Sequence, residues 1–259
     1  MPDALDWTQV QRYLTGLVPD RNAELREMES HAAATDFPIV GPAAGQACYL
    51  IARLAGARRV FELGSGYGYS TAWFARAVTE NGGGEVFHVV WDEALSKRAR
   101  EHLATLGFGG VVRYKVGEAV EALRGTRGRF DLIFNDIEKE GYPGSLPVIE
   151  AKLRPGGVLI VDNALWHGRV FNGDDGSAAT RGVRELTRRL TRDAGWLTTL
   201  LPIRDGLLVA LRGSNAPPAR PAARRGARRA GSGDETAWPA PSPAAGRAGA
   251  SRVRRKVRA

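Results

Sequence analysis

The chain has one cysteine, Cys48, so no internal disulfide can form and the fold owes nothing to oxidation. It also lacks any apolar run near the roughly 18 residues of a membrane span. The N-terminal stretch MPDALDWTQVQRYL is too polar and mixed for a secretory leader. These absences set the expectation of a cytoplasmic protein without a membrane partner. No repeat of fixed period is visible. Net charge is missing where a nucleic-acid surface would need it. The whole chain carries +9, but residues 213–259 hold eleven Arg or Lys against Asp234 and Glu235. Removing these from the chain's 37 basic and 28 acidic residues leaves 26 of each in 1–212, so that part is neutral.

What is present divides accordingly. The segment 213–259 is Ala, Arg, Pro, Gly and Ser with almost no large apolar residue. It cannot bury enough surface to offset the entropy of ordering, and is expected to be a disordered basic tail. Residues 1–212 alternate strand and helix signals. A helical cap over 1–36 precedes the loop FPIVGPAAGQ, Phe37 to Gln46. Strands then follow at Arg59 to Gly64, Glu85 to Trp91, Val111 to Val116, Phe130 to Asn135 and Gly157 to Asn163, separated by helical spacing. Pro155-Gly156 reads as the end of the helix before the fifth strand. Arg204-Asp205-Gly206 reads as the turn of a final hairpin, Trp196 to Ile203 with Gly206 to Arg212. The pattern predicts an α/β fold: a Rossmann-like, doubly wound sheet of seven strands in the order 3-2-1-4-5-7-6, strand 7 antiparallel.

Two strands end in acid. FDLIFNDIEKEGYP runs from Phe130 through apolar residues into Asn135-Asp136, with Lys139 three residues on, and GVLIVDN breaks off at Asp162-Asn163. Ligands of open α/β sheets bind at the carboxyl ends of the strands, so these are site candidates. Alone, Asp136 reads equally well as a helix cap. If the two strands are neighbours, Asp136, Asp162 and Asn163 converge within reach of one ion, and three oxygen donors without His or Cys suit Mg2+. The first strand runs into Gly64-Ser65-Gly66-Tyr67-Gly68-Tyr69-Ser70. This GxGxG turn lets a backbone approach a ligand, and its spacing is not the GxGxxG of dinucleotide sites. Asp92 follows the second strand where Rossmann-like sheets place an acid for a ribose.

With these residues in place, the chain resembles the class I, metal-dependent O-methyltransferases of the catechol and caffeoyl-CoA group. The resemblance covers roughly residues 6–212 and rests on VFELGSGYGYSTAW, VVWDEALSKRARE, FDLIFNDIEKEGYP, LRPGGVLIVDNALWHGRV and LLPIRDGLLVALR, in the family's order. It implies that 1–212 is a methyltransferase domain using S-adenosylmethionine (AdoMet) and a divalent cation such as Mg2+. By position, Asp136, Asp162 and Asn163 match the metal ligands, and Lys139 the catalytic lysine beside Asp136. Glu62, Gly64, Ser65, Ser70, Asp92, Glu118 and Asp136 fall on the cofactor side. Val40 and Gly41 match the segment over the cofactor's methionine part, and Tyr142 and Trp166 fall where relatives line the acceptor pocket, although both also read as packing aromatics. One position departs: relatives usually carry a ribose-binding acid two residues before Asp92, and here it is Val90.

The implied reaction is methyl transfer to a metal-bound hydroxyl of a small catechol-like or phenolic acceptor, in a chain that pairs into a homodimer. Two rivals stand beside it. One is a tRNA hydroxyuridine O-methyltransferase held to RNA by the basic tail, against which the neutral 1–212 argues. The other is an AdoMet-binding protein with weak or no catalysis, motivated by Val90. A nicotinamide dehydrogenase is disfavoured by the glycine spacing.

Overall fold

The computed structural model describes residues 6–213. Residues 1–5 and all of the basic tail except Gly213 lie outside the described residues. Two helices, α1 (Trp7–Gly16) and α2 (Ala23–Thr35), precede α3 (Gly41–Leu54). Then come β1 (Arg59–Leu63), α4 (Tyr69–Glu80), β2 (Glu85–Val90), α5 (Glu93–Thr105), β3 (Val112–Val116), α6 (Ala119–Gly125) and β4 (Phe130–Asn135). The chain continues through α7 (Tyr142–Lys152), β5 (Leu153–Val161), α8 (Ala178–Arg192), β6 (Trp196–Leu201) and β7 (Leu207–Arg212). Side chains start several helices: Asp6, Asn22, Asp92, Glu118 and Ser177 each accept a bond from a first-turn N–H. No helix among the described residues is long and apolar enough to cross a membrane.

The sheet has the expected order, β3-β2-β1-β4-β5-β7-β6. β1 to β5 pair in parallel, and β7 runs antiparallel to both β5 and β6. The strand order reverses between β1 and β4, which opens a crevice beyond their carboxyl ends. Register decides what stands there. Leu63 pairs with Asn135, and Asn135 with Val161. One residue further along each strand lie Gly64, Asp136 and Asp162, so three neighbouring strands deliver a glycine and two carboxylates to one place.

Strand alternation divides the core between the sheet's two faces. Val60, Leu132, Phe134 and Ile160 pack under α2 to α5 with Met28, Cys48, Phe74 and Leu103. Phe61, Ile133, Leu159 and Leu208 pack under α6 to α8 with Leu123, Ile149 and Leu186. The shared bases of these clusters make the sheet ends stiff supports for the loops that leave them.

One sequence expectation is corrected. Pro155-Gly156 does not end a helix, because α7 stops at Lys152 and the pair lies within β5. The register slips there: Phe130 pairs with Leu153 but Leu132 with Val158. Pro155 cannot donate to a ladder and Gly156 takes φ +68°, so the pair forms an irregularity inside a strand.

Candidate active site

Lys139 is the best-fixed side chain of the crevice. Its Nζ lies 2.7 Å from Asp136 Oδ1 and 3.2 Å from the Ile137 carbonyl oxygen. The Tyr142 ring centroid is 5.1 Å away and that of Trp166 5.9 Å. α8 presses on the turn that carries it: a Cβ on Gly182 would collide with the Lys139 carbonyl oxygen. The ammonium is thus held at the mouth of a carboxylate pair, with aromatic faces behind it.

Asp162 is only 2 % exposed and Asp136 28 %. Burial pushes the Asp162 carboxyl up to about 7, and the facing charge of Asp136 adds to this against the pull of Arg204. Burial likewise raises Asp136, against Lys139. Asp162 Oδ1 is buried without a hydrogen-bond partner, while Oδ2 accepts from Arg204 Nη1 at 3.3 Å. Next to it, Asn163 sits in the left-handed region at φ +53°, which asparagine tolerates better than most residues. Its Nδ2 donates to Asp205 Oδ2 at 2.9 Å, which turns the amide oxygen away from Asp205.

The corner of the β6–β7 hairpin therefore braces the site. Asp205 Oδ1 also accepts from the His167 N–H at 2.6 Å, and its carbonyl oxygen accepts from Leu165 N–H at 2.8 Å. Trp166 and His167, at φ +48° and +52°, complete a strained loop over the crevice. Neither Arg204 nor Asp205 was among the site residues expected from sequence. The only local signal was a turn triplet, and the partners lie some forty positions away.

The glycine loop approaches Asp136 as closely as backbone allows. Gly64 has φ +85°, and a Cβ there would strike the Asp136 carbonyl oxygen. Behind the loop, Ser65 Oγ accepts from Val89 N–H at 3.0 Å, and Glu62 accepts from Thr71 Oγ1 at 2.5 Å. Glu62 is fully buried, and burial pushes it up to about 7 from its ordinary 4.5, against donors Ser70 and Thr71. An acid with a raised folded-state pKa holds its proton more tightly when folded. Its contribution is therefore greatest below about pH 4.5 and is lost as pH rises from there to about 7. Glu62→Gln is expected to flatten this part of the Tm-against-pH curve, a span on the order of 3 kcal/mol. An unchanged slope in the variant would assign the pH dependence elsewhere.

Two cavities meet at this place. One, about 460 Å3, is lined by Gly64, Val90, Trp91, Asp136, Lys139, Asp162, Asn163 and Trp166 among others. A larger one, about 800 Å3, is lined by Val40, Gly41 and mostly apolar neighbours, and shares His167 and Arg204 with the first. The structure thus brings together Gly64, Asp136, Lys139, Asp162, Asn163 and Trp166, and sets Val40 and Gly41 in the adjoining space. Others of the expected set stand elsewhere. Asp92 caps α5 through Leu95 N–H at 2.9 Å, and Glu118 caps α6 through Val120 and Glu121. Neither lines these cavities. Tyr142 is fully buried, and its hydroxyl donates to the Asp162 carbonyl oxygen at 2.9 Å, supporting the acid from below.

Among the described residues no cluster of three or more His, Cys, Asp or Glu is placed to hold a metal. The set here is two carboxylates and an amide, all hard oxygen donors. An orphaned buried oxygen on Asp162 and two acids raised by burial are the features a divalent cation would satisfy, so the residues fit Mg2+.

Comparison with known proteins gives the family. A family model described as O-methyltransferase matches residues 19–213. A catechol O-methyltransferase of Niastella koreensis is 27 % identical over 213 residues, covering 78 % of this chain and 96 % of the relative. The O-methyltransferase TomG of Streptomyces achromogenes, involved in tomaymycin synthesis and solved in complex with SAM, superposes with a TM-score of 0.71 at 28 % identity, covering 80 % of this chain and 96 % of that one. A Bacillus cereus O-methyltransferase in complex with SAH gives 0.72 at 27 % identity, covering 80 % and 98 %.

Proposed function

The chain belongs to the O-methyltransferase family, and from that premise we propose that it moves the methyl group of AdoMet to a hydroxyl of a small catechol-like or phenolic acceptor, with Mg2+ held by Asp136, Asp162 and Asn163. The observation that carries the reading is the meeting, at the ends of β1, β4 and β5, of a glycine loop, two carboxylates and a lysine. AdoMet would lie along the glycine loop, with its ribose end toward Val90 and Trp91. The acceptor would enter from the 800 Å3 cavity on the other side of Asp162.

Mg2+, when bound, would lower the pKa of an acceptor hydroxyl. Lys139 Nζ, in its unprotonated form, is the base that takes the hydroxyl proton, and it stands 2.7 Å from Asp136 at the edge of the crevice. The acceptor oxygen then attacks the methyl carbon, and the C–S bond breaks with its electron pair returning to sulfur. The neutral product S-adenosylhomocysteine remains. Trp166 and the buried wall of Tyr142 keep water from the lysine, and the hairpin brace at Asp205 holds Asn163 in one orientation. Positioning supplies most of the remainder.

The test is methyl transfer from labelled AdoMet to a panel of catechols and to hydroxyuridine-containing tRNA, with and without EDTA. EDTA-sensitive transfer to catechols is expected. Transfer confined to tRNA would move the function to RNA modification, and transfer indifferent to EDTA would remove the cation from the account.

Val90 yields a separate expectation. Its side chain ends β2, lines the cofactor-side cavity and offers no acceptor, while Asp92 Oδ1 caps α5. Val90→Glu is expected to tighten AdoMet about tenfold in calorimetry, because a carboxylate there reaches ribose hydroxyls. Unchanged or weaker binding would show that the ribose is held by other groups.

A further inference from the structure

Arg204 is a non-glycine residue at φ +53°, in a conformation that is strained for an L-residue and that glycine would adopt freely. The strain puts one side chain in one place. The Arg204 N–H donates to Gln11 Oε1 of α1 at 2.6 Å, and its Cδ passes 3.8 Å from where a Cβ on Gly41 would stand. The guanidinium thereby arrives at the junction of the two cavities.

Its bonding there is incomplete. Among the described residues only Nη1 has a side-chain partner, Asp162 Oδ2 at 3.3 Å, a long contact for a charged pair. Nε and Nη2 have none, and the side chain is 34 % exposed. The larger cavity is mostly apolar, walled by Trp7, Val40, Pro42, Leu165, Phe171 and Pro202 beside the polar Gln11, Thr15, His167 and Asp205. Asp205, the other charged residue of its lining, has one oxygen on Asn163 and the other on the His167 N–H. Both Asp205 oxygens thus have donors, whereas the guanidinium still has donors to offer.

We propose that Arg204 is an anion subsite, by which the enzyme selects acceptors that carry a carboxylate on the ring bearing the hydroxyl; this rests on the methyltransferase reading above. With Asp162 turned to the cation, Arg204 loses the one carboxylate it has, and its free planar donors fit a carboxylate in two-point fashion. A phosphate would call for more than one firm cation, and the other basic residue of this lining, His167, has its Nδ1 3.7 Å from Asp205 Oδ2.

The experiment compares 3,4- and 2,3-dihydroxybenzoate, each beside its neutral amide, as acceptors for the full chain and for Arg204→Gln and Arg204→Lys, with AdoMet and Mg2+ in excess. The wild type is expected to prefer at least one acid over its amide in kcat/KM by about ten- to hundredfold, chiefly through KM. The preference should collapse toward one in Arg204→Gln and return in part in Arg204→Lys. Equal use of acid and amide by the wild type, or a loss in Arg204→Gln that falls equally on both, overturns the proposal. Calorimetry of the same four compounds, with S-adenosylhomocysteine present, provides the arm that does not need turnover. Binding of an acid that is lost in Arg204→Gln supports the subsite even if no catechol is methylated, an outcome that would defeat the catalytic reading alone. Absence of any acid-over-amide preference in binding overturns the subsite.

Discussion

Asp162→Asn is expected to lower methyl transfer by at least about a hundredfold and to abolish calorimetric Mg2+ binding, while raising Tm above that of the wild type at pH 8. The two effects share one cause. Asp162 is buried, its Oδ1 has no partner, and its carboxyl is pushed up to about 7. At pH 8 the folded protein therefore holds an ionised group that the unfolded chain ionises far more easily, and stability is lost as pH rises from about 3.8 to about 7. An amide of the same shape removes that charge and leaves the backbone bond from Tyr142 to the Asp162 carbonyl oxygen intact. It also offers a weaker neutral oxygen where a cation needs a charged one. A variant that is both inactive and less stable would mean that the carboxylate is structural, held by Arg204. A stable variant that still binds Mg2+ would remove Asp162 from the ligand set.

Lys139→Met should lower kcat by about 10²–10⁴ with AdoMet affinity little changed. Methionine fills most of the same space against Tyr142 and Trp166, so the wall stays closed. What disappears is the only amine that, among the described residues, stands within hydrogen-bond reach of Asp136. Since Lys139 is proposed to act on the acceptor proton, the loss should grow for acceptors with weakly acidic hydroxyls and shrink for nitrocatechols, which ionise unaided. A uniform loss across that series would make the lysine a positioning charge for Asp136 instead of a base.

Much of this architecture could be read along the chain. The strands announce themselves as short apolar runs, the sheet order follows from their alternation with helices, and Asp136, Lys139, Asp162 and Asn163 stand where apolar runs break off. Pro155-Gly156 misled because a proline-glycine pair ends helices and makes strand irregularities by the same local means, and only pairing with β4 tells the two apart.

The sequence by itself determined which strands end in acid, because strand and acid are adjacent residues and a two-residue period sets which face each side chain takes. It also contained the caps at Asp92 and Glu118, whose bonds reach only two or three residues ahead. Whether those acids also reach a cofactor depends on the space around them, which is set by neighbouring elements and not by the local pattern. The tertiary structure alone decided the rest. Parallel register put Gly64, Asp136 and Asp162 side by side, and closure of the β6–β7 hairpin carried Arg204 and Asp205 across 42 positions to Asp162 and Asn163. No local preference encodes such a meeting, because its geometry is set by how the whole sheet packs.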